Sequence, residues 1–349
     1  MKLAIDCRMI GTGGIGTYIS SLLPFFLKNF DCLLIGRPQD LKEFAGEHEI
    51  CNIKTFSLKE LLFFDKKILK KINNCNAYYT PYCNIPNGIK IPIYSTIHDV
   101  VFLDRPELAS KLGILARKWF YLRAVKKSCK IFTVSEFSKQ RIICHLHCKK
   151  PVVVTYSAVP EFLKPRNTTP KEKKNEILFV GNIKKHKGLH TLLPAFDTAT
   201  KKGLDAKLVI VGNANNFRTK DESIDKLLQK IDSSKIIFTG KISNENLTEL
   251  YSSSKLLVQP SLYEGFGLPP LEALKAGTNV LISDIPVFKE IYKDFPVAFF
   301  KTEDINDLCA KIIQMYDSPA PQNIPDLYTF EKTYSIIEKN IKENQSQFS

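Results

Sequence analysis

Short apolar runs recur along the chain, separated by longer stretches with helical spacing, and this rhythm starts twice. In the first half, Lys2–Asp6, Cys32–Ile35, Ala77–Thr80, Ile93–Ile97, Lys130–Val134 and Val152–Val154 predict strands, with helices between them over Gly16–Leu27 and Leu112–Lys127. The second half restarts with Glu176–Val180, Ala206–Val211, Ile236–Thr239, Lys255–Val258, Val280–Ile282 and Ala298–Phe299. Runs that are apolar throughout and alternate with helices predict an α/β protein with parallel sheets covered on both faces. Pro160–Asn175, rich in Pro, Lys and Thr, has no periodicity and reads as a linker. The expected division is a first Rossmann-like domain over 1–162, a linker over 163–175, a second such domain over 176–327 and a terminal segment over 328–349. Tyr328–Gln345 has the pattern of one long polar helix, either solvated or packed across the junction toward the first domain. Two doubly wound domains in tandem predict a cleft between facing strand ends, where ligands of open α/β sheets bind.

Composition narrows the class. A chain of 349 residues suits two domains of ~100–200 residues each. With 44% hydrophobic and 25% charged residues, it has the balance of a globular protein. No apolar run approaches the ~20 residues needed to cross a bilayer. Asp6 and Arg8 interrupt the apolar start, so Met1–Gly11 does not read as a secretory leader. The expected place is the cytoplasm, with peripheral attachment to the inner face of its membrane as a refinement. Nine cysteines, several inside apolar runs (Cys7, Cys32, Cys129), suit a reducing compartment better than a disulfide framework. The cluster Cys144-His145-Leu146-His147-Cys148 sets its ligands too close together to surround one ion, and reads as a helix end and turn. The net charge of +14 points to anionic partners. Without a basic motif interleaved with aromatics or a recognition-helix pattern, nucleic acid is not expected; nucleoside diphosphates and an anionic membrane face are the alternatives.

The most informative window is QPSLYEGFGLPPLEALKAG, Gln259 to Gly277, which follows a predicted strand. Gly265 and Gly267 permit a tight turn, and Pro269 and Pro270 fit the first turn of a helix. Unpaired amides and the macrodipole at such a helix start attract phosphate. Two carboxylates flank the turn, Glu264 just before it and Glu272 within the helix. An acid near a helix start is favourable for stability alone, whereas Glu264 lies in a loop expected to be tightly placed.

This window is similar to the Glu-x7-Glu signature of family 4 of the retaining glycosyltransferases (glycosyl transferases group 1), which have the GT-B fold of two facing Rossmann-like domains. The resemblance runs through nearly the whole chain, in IDCRMIGTGGIGTYI, YSTIHDVVFL, IFTVSEFSK, ILFVGNIKKHKGL, SDIPVFKEI and TFEKTY, in order. The first half most resembles bacterial O-antigen and capsule mannosyl- or rhamnosyltransferases. The resemblance implies transfer of a hexose or deoxyhexose from a nucleotide sugar, GDP-mannose favoured over UDP- or dTDP-sugars, to a glycan or lipid-linked acceptor. It implies that Glu272 holds the ribose, Glu264 contacts the donor sugar near its anomeric centre, and the backbone at Phe266, Gly267 and Leu268 meets the distal phosphate. Lys187 would neutralise the leaving diphosphate; Asn182 stands where the family usually has a second cation, which Lys184 or Lys185 would supply. Gly240 and Lys241 would border the base pocket, with backbone contacts continuing to Ile242. In the first half, His98 would reach the donor sugar with Asp99 beside it, and Gly14, Ile15 and Gly16 would border the diphosphate and the acceptor entrance. No D-x-D pair ends a strand, so neither metal nor other cofactor is expected.

Leu112–Lys130 combines Trp119, Phe120, Leu122 and Val125 with six basic residues, and Lys66-Lys67-Ile-Leu-Lys70-Lys71 adds a second basic patch. A basic amphipathic helix of this kind lies on an anionic membrane, and a domain helix with a core stripe and a solvated basic face accounts for it equally well. Two rival enzyme classes remain. Gly11-x-Gly13-x-x-Gly16 fits a dinucleotide fingerprint, but Gly36-Arg37 occupies the place of the ribose-binding acid of an NAD-dependent oxidoreductase. A nucleotide-sugar epimerase would share the two-domain architecture.

Overall fold

The expected apolar runs become strands because both of their faces are covered. In a computed structural model that describes residues 1–163, 172–212 and 222–345, Leu3, Ala4 and Ile5 of the first strand are fully buried, as are Leu33 and Leu34 of the second. The described residues fall into two compact units, Met1–Pro160 with Tyr328–Ser349, and Glu161–Leu327.

The first unit holds β1 (Lys2–Asp6), β2 (Asp31–Gly36), β3 (Glu47–Ile50), β4 (Ala77–Thr80), β5 (Ile93–Thr96), β6 (Lys130–Thr133) and β7 (Val152–Val154), in the order β3-β2-β1-β4-β5-β6-β7. The second holds β8 (Lys174–Val180), β9 (Lys207–Val211), β10 (Ile236–Phe238), β11 (Ser254–Gln259), β12 (Asn279–Ser283) and β13 (Ala298–Phe300), in the order β10-β9-β8-β11-β12-β13. Every pairing is parallel. In each unit the winding reverses at one place, between β1 and β4 and between β8 and β11, which opens a crevice at the carboxyl ends of those strands.

Four local features differ from the expected elements or decide between alternatives. β3 reads Glu-His-Glu-Ile and was not expected as a strand; it is an edge strand held by charge, with Lys2 on Glu47 at 2.6 Å and Lys71 on Glu49. The first helix starts at Gly13 rather than Gly16. The expected linker 163–175 lies mostly outside the described residues, and its last two residues, Lys174 and Asn175, open β8. The terminal helix Phe330–Gln345 is not solvated: Ile337 and Ile341 are fully buried, and Tyr334 stacks on Phe25 with ring centroids 5.6 Å apart. Lys130 Nζ also donates to Asn340 Oδ1 at 2.9 Å, tying this helix to β6 of the same unit.

The Gly13–Asn29 helix leaves β1 so sharply that a Cβ on Gly16 would lie 2.3 Å from the Met9 carbonyl oxygen, while one on Gly14 would meet nothing within 4 Å. Gly16→Ala is therefore expected to destabilise the fold by about 1–3 kcal/mol. Gly14→Ala should be neutral or stabilising by up to about 1 kcal/mol. Urea unfolding of the two variants beside the parent checks the contrast, and equal stabilities would refute it.

Candidate active site

The second unit's crevice is built by loops that follow β8 and β11. After β8 the chain passes Gly181 to Lys184 into a tight turn, Lys185–Lys187, and then Gly188 with φ +76°. A Cβ on Gly188 would sit 1.8 Å from the Pro260 carbonyl oxygen, so only glycine lets this turn press against the end of β11. The contact is pinned by the Leu262 amide, which donates to the His186 carbonyl at 2.7 Å.

This close approach delivers Lys187 to Glu264. Its Nζ donates to both carboxylate oxygens, at 2.7 and 2.8 Å. Ser261 Oγ adds a bond to Glu264 Oε1 at 2.7 Å, and Gln259 Nε2 in turn donates to Ser261 Oγ at 3.0 Å. Glu264 is buried, and burial of a carboxylate is tolerable only with such pairing. Lys187 spends two of its three protons on Glu264, which leaves one for an anionic ligand.

The turn after Glu264 leads into the Leu268–Lys275 helix through Gly267, at φ +83°, where a Cβ would lie 2.3 Å from Phe288 Cε1. Pro269 and Pro270 have no N–H, and the Leu271 amide donates to Tyr292 Oη at 3.1 Å. The amides of Gly267 and Leu268 thus stand at the positive end of the helix dipole. Phe266 is buried beside them.

Glu272, on the same helix, is buried and accepts a hydrogen bond from the Tyr251 hydroxyl. Burial pushes its carboxyl up to about 7, with the Tyr251 bond opposing the shift. Asn182 follows β8, and Gly240 and Lys241 follow β10, on the same carboxyl edge of the sheet; Asn182 and Lys241 are exposed.

In the first unit, the turn at Gly11 and the first turn of the Gly13–Asn29 helix follow β1, with Gly14 exposed, Ile15 half-buried and Gly16 buried. His98 lies two residues past β5, against Tyr18 of the first helix in an edge-to-face contact with centroids 4.9 Å apart. Its Nε2 bonds the Pro81 carbonyl at 3.0 Å. A carbonyl can only accept, so the proton is on Nε2 and Nδ1 is the acceptor of the neutral ring. Burial lowers the ring's pKa to about 4 against the Pro81 contact, so His98 is uncharged at neutral pH. Asp99 Oδ1 accepts from the Val101 amide at 3.0 Å and braces the turn.

Several residues of these sites gave no sequence signal. Tyr251, Ser261 and Tyr292 act through bonds to Glu264, Glu272 and the helix start, and only the fold brings them there. At the β1/β4 reversal, Arg8 is buried between Asp6, with Nε to Oδ1 at 2.9 Å, and Glu60, with Nη2 to Oε1 at 2.5 Å. Tyr82 Oη accepts from Arg8 Nη2 at 2.7 Å, and Tyr78 donates to Asp6 at 2.8 Å. Asp6 and Arg8 had entered only as interruptions of an apolar run. His145 of the Cys/His cluster is committed elsewhere, with Nε2 2.6 Å from Asp104 Oδ1, which also accepts from Arg141. Arg37, at the place of a dinucleotide-binding acid, instead bonds Asp40 at 2.5 Å and the Ile10 carbonyl at 3.1 Å.

With this geometry in view, residues 161–331 match the family model described as glycosyl transferases group 1. Residues 161–331 belong to that family. Among relatives, the chain is 33% identical over 229 residues to the O-antigen chain mannosyltransferase RfbU of Salmonella typhimurium, an alignment covering 64% of this chain and 61% of the relative. It thus spans less than two thirds of that relative's length. Among solved structures, it superposes on Alr3699/HepE of Anabaena in complex with UDP and glucose with a TM-score of 0.72 at 13% identity, covering 100% of this chain and 99% of that one. It superposes on sucrose-phosphate synthase of Thermosynechococcus elongatus with a TM-score of 0.69 at 16% identity, covering 100% and 98%. At these identities the likeness establishes the fold, and the GT-B class expected from the group 1 motifs is the one found.

Raising Glu272 from 4.5 to about 7 means that its ionisation is opposed by on the order of 3 kcal/mol in the unliganded fold. Because the folded carboxyl holds its proton more tightly than the unfolded one, this group favours the fold at low pH and that advantage is lost as pH rises through about 7. Glu272→Gln is expected to flatten the decline in stability between about pH 4.5 and pH 7, read by denaturant titration; an unchanged profile would show that Glu272 does not titrate there.

Proposed function

We propose that the protein is a retaining glycosyltransferase that moves a hexose or deoxyhexose from a nucleotide sugar to a glycan or lipid-linked acceptor in cell-surface polysaccharide synthesis. The observation that carries this reading is the Lys187–Glu264 pair, its carboxylate three residues before Gly267 at the helix start, at the point where the second sheet reverses its winding. In this reading it offers one ammonium proton and a helix start to a diphosphate that needs positive charge, and a carboxylate to sugar hydroxyls that need an acceptor. The group 1 match over the same residues supports it. The name of the Salmonella relative favours a mannosyl donor, for which GDP-mannose is the first candidate, with UDP- and dTDP-sugars as alternatives.

In this reading Glu272 accepts from the ribose hydroxyls in its ionised form, Tyr251 holding one oxygen and leaving the other for the ligand. Glu264 accepts from donor-sugar hydroxyls, and Lys187 shares its charge with the distal phosphate. The neutral His98 offers Nδ1 as an acceptor to a sugar hydroxyl. The acceptor hydroxyl attacks the anomeric carbon as the bond to the diphosphate oxygen breaks, and its proton passes to that oxygen on the same face. The new glycosidic bond then keeps the configuration of the old one, and the nucleoside diphosphate leaves. The protein contributes orientation and charge stabilisation rather than a covalent intermediate. Lys187 and the helix start supply the positive charge that a divalent cation provides elsewhere, so transfer proceeds without metal.

Calorimetry of GDP, UDP, dTDP and NAD, in excess chelator, tests the donor class. One nucleoside diphosphate should bind, more tightly at pH 8 than at pH 6, and both the binding and its pH dependence should weaken in Glu272→Gln; binding of NAD alone would overturn the reading. Glu264→Ala is expected to fold and to retain nucleoside diphosphate binding while losing at least ~100-fold in turnover. Full turnover in that variant would remove Glu264 from the reaction.

A further inference from the structure

The Lys111–Lys127 helix presents an apolar stripe to the outside. Ala124 and Val125 are its buried residues, whereas Leu112, Leu115, Trp119 and Leu122 are 82%, 68%, 52% and 40% exposed. Their spacings of three, four and three residues put all four on one face, opposite the buried side. Of the two readings of this helix, the core stripe fails for Trp119 and Leu122, which face away from the core. Lys111, Lys118 and Lys126 flank the stripe and are exposed. From Ala109 to Ser135 the chain holds no acidic residue.

A second element extends the same chemistry. Arg123 and Lys127 bond Asn87 Oδ1 at 2.5 and 2.9 Å, and Asn73 of the Lys66–Asn73 helix bonds the Gly88 carbonyl at 2.9 Å. The two basic helices therefore bracket one short segment. Leu62 and Phe63, 66% and 73% exposed, lie just before the buried Phe64 and then Asp65, the N-cap of the second of these helices, whose Lys66, Lys67 and Lys70 are exposed. From Lys66 to His98 there is again no acidic residue.

We propose that this face of the first unit docks on an anionic phospholipid bilayer, with the Lys111–Lys127 helix lying in the plane of the interface, Leu112, Leu115, Trp119 and Leu122 entering the acyl boundary and the lysines meeting lipid phosphates. Exposed apolar residues concentrated on one helix face mark an interaction surface. The exposed lysines, on two stretches of chain that hold no acidic residue, select a negatively charged lipid surface over a protein groove, and a helix with an apolar face flanked by lysines is the form that binds in such an interface. The surface goes beyond the transfer reaction and does not depend on it.

Trp119 is the single tryptophan of the chain, so its fluorescence reports on the stripe without labelling. The full chain, without nucleotide, is mixed at low salt with vesicles of phosphatidylcholine and phosphatidylglycerol, and separately with phosphatidylcholine alone. The expected result is sedimentation with the mixed vesicles, a blue shift of Trp119 emission, and quenching by lipids brominated on the acyl chain. The triple change Lys111→Glu, Lys118→Glu and Lys126→Glu should weaken binding about a hundredfold with circular dichroism unchanged. Leu112→Ser with Leu115→Ser should reduce quenching and leave the fold intact. Absence of sedimentation would overturn the proposal, as would sedimentation with Trp119 emission unmoved, or equal binding to neutral vesicles. A blue shift that grows with protein concentration without lipid would assign the face to a second copy of this chain and would equally overturn it. None of these readouts involves nucleotide or transfer, so failure here and failure of the transferase reading are separately visible.

Discussion

The arrangement of the second unit's site follows from how closely the Gly188 backbone approaches the Pro260 carbonyl. That contact leaves no room for a side chain, and it brings the loop after β8 onto the loop after β11. A carboxylate buried at Glu264 needs a counter-charge, and the same approach supplies Lys187. The His186 carbonyl, held by the Leu262 amide, fixes the register of the two loops. Parallel pairing then determines where this happens. All strands of the sheet end on one edge, and β8 and β11 are neighbours where the winding changes direction.

The first unit solves a similar problem with a buried ionic group of different composition. Arg8 lies among Asp6, Glu60 and Tyr82 at the β1/β4 reversal, so one cation faces two carboxylates. Glu60 is accordingly pushed up to about 7, chiefly by burial, with Arg8 opposing. The network ties the Leu58–Leu62 helix to the ends of β1 and β4. The terminal helix completes this unit from the far end of the chain through the Phe25–Tyr334 stack and the buried Ile337 and Ile341.

Protonation separates the site groups. Burial acts in opposite directions on acids and bases, raising Glu272 to about 7 and lowering His98 to about 4. Both therefore tend toward their neutral forms in the unliganded protein, while Glu264 is paired with Lys187.

The sequence by itself determined the α/β class and nearly every strand, because strands covered on both faces must be apolar throughout and such runs stand out. It also determined the turn into the Leu268–Lys275 helix, since Gly267, Pro269 and Pro270 act through local backbone preferences. The group 1 resemblance singled out Lys187 and Glu264 by position. β3 was not legible: an edge strand is held by its neighbour and by lysines from distant segments, and its own residues carry no apolar pattern. Tertiary structure alone decided that Lys187 meets Glu264, that Tyr251 holds Glu272, that Arg8 sits between two acids, and that Trp119 faces outward while Val125 faces in. Each of these depends on contacts between residues far apart in the chain or on which side of a helix the rest of the unit covers. Local composition does not encode either.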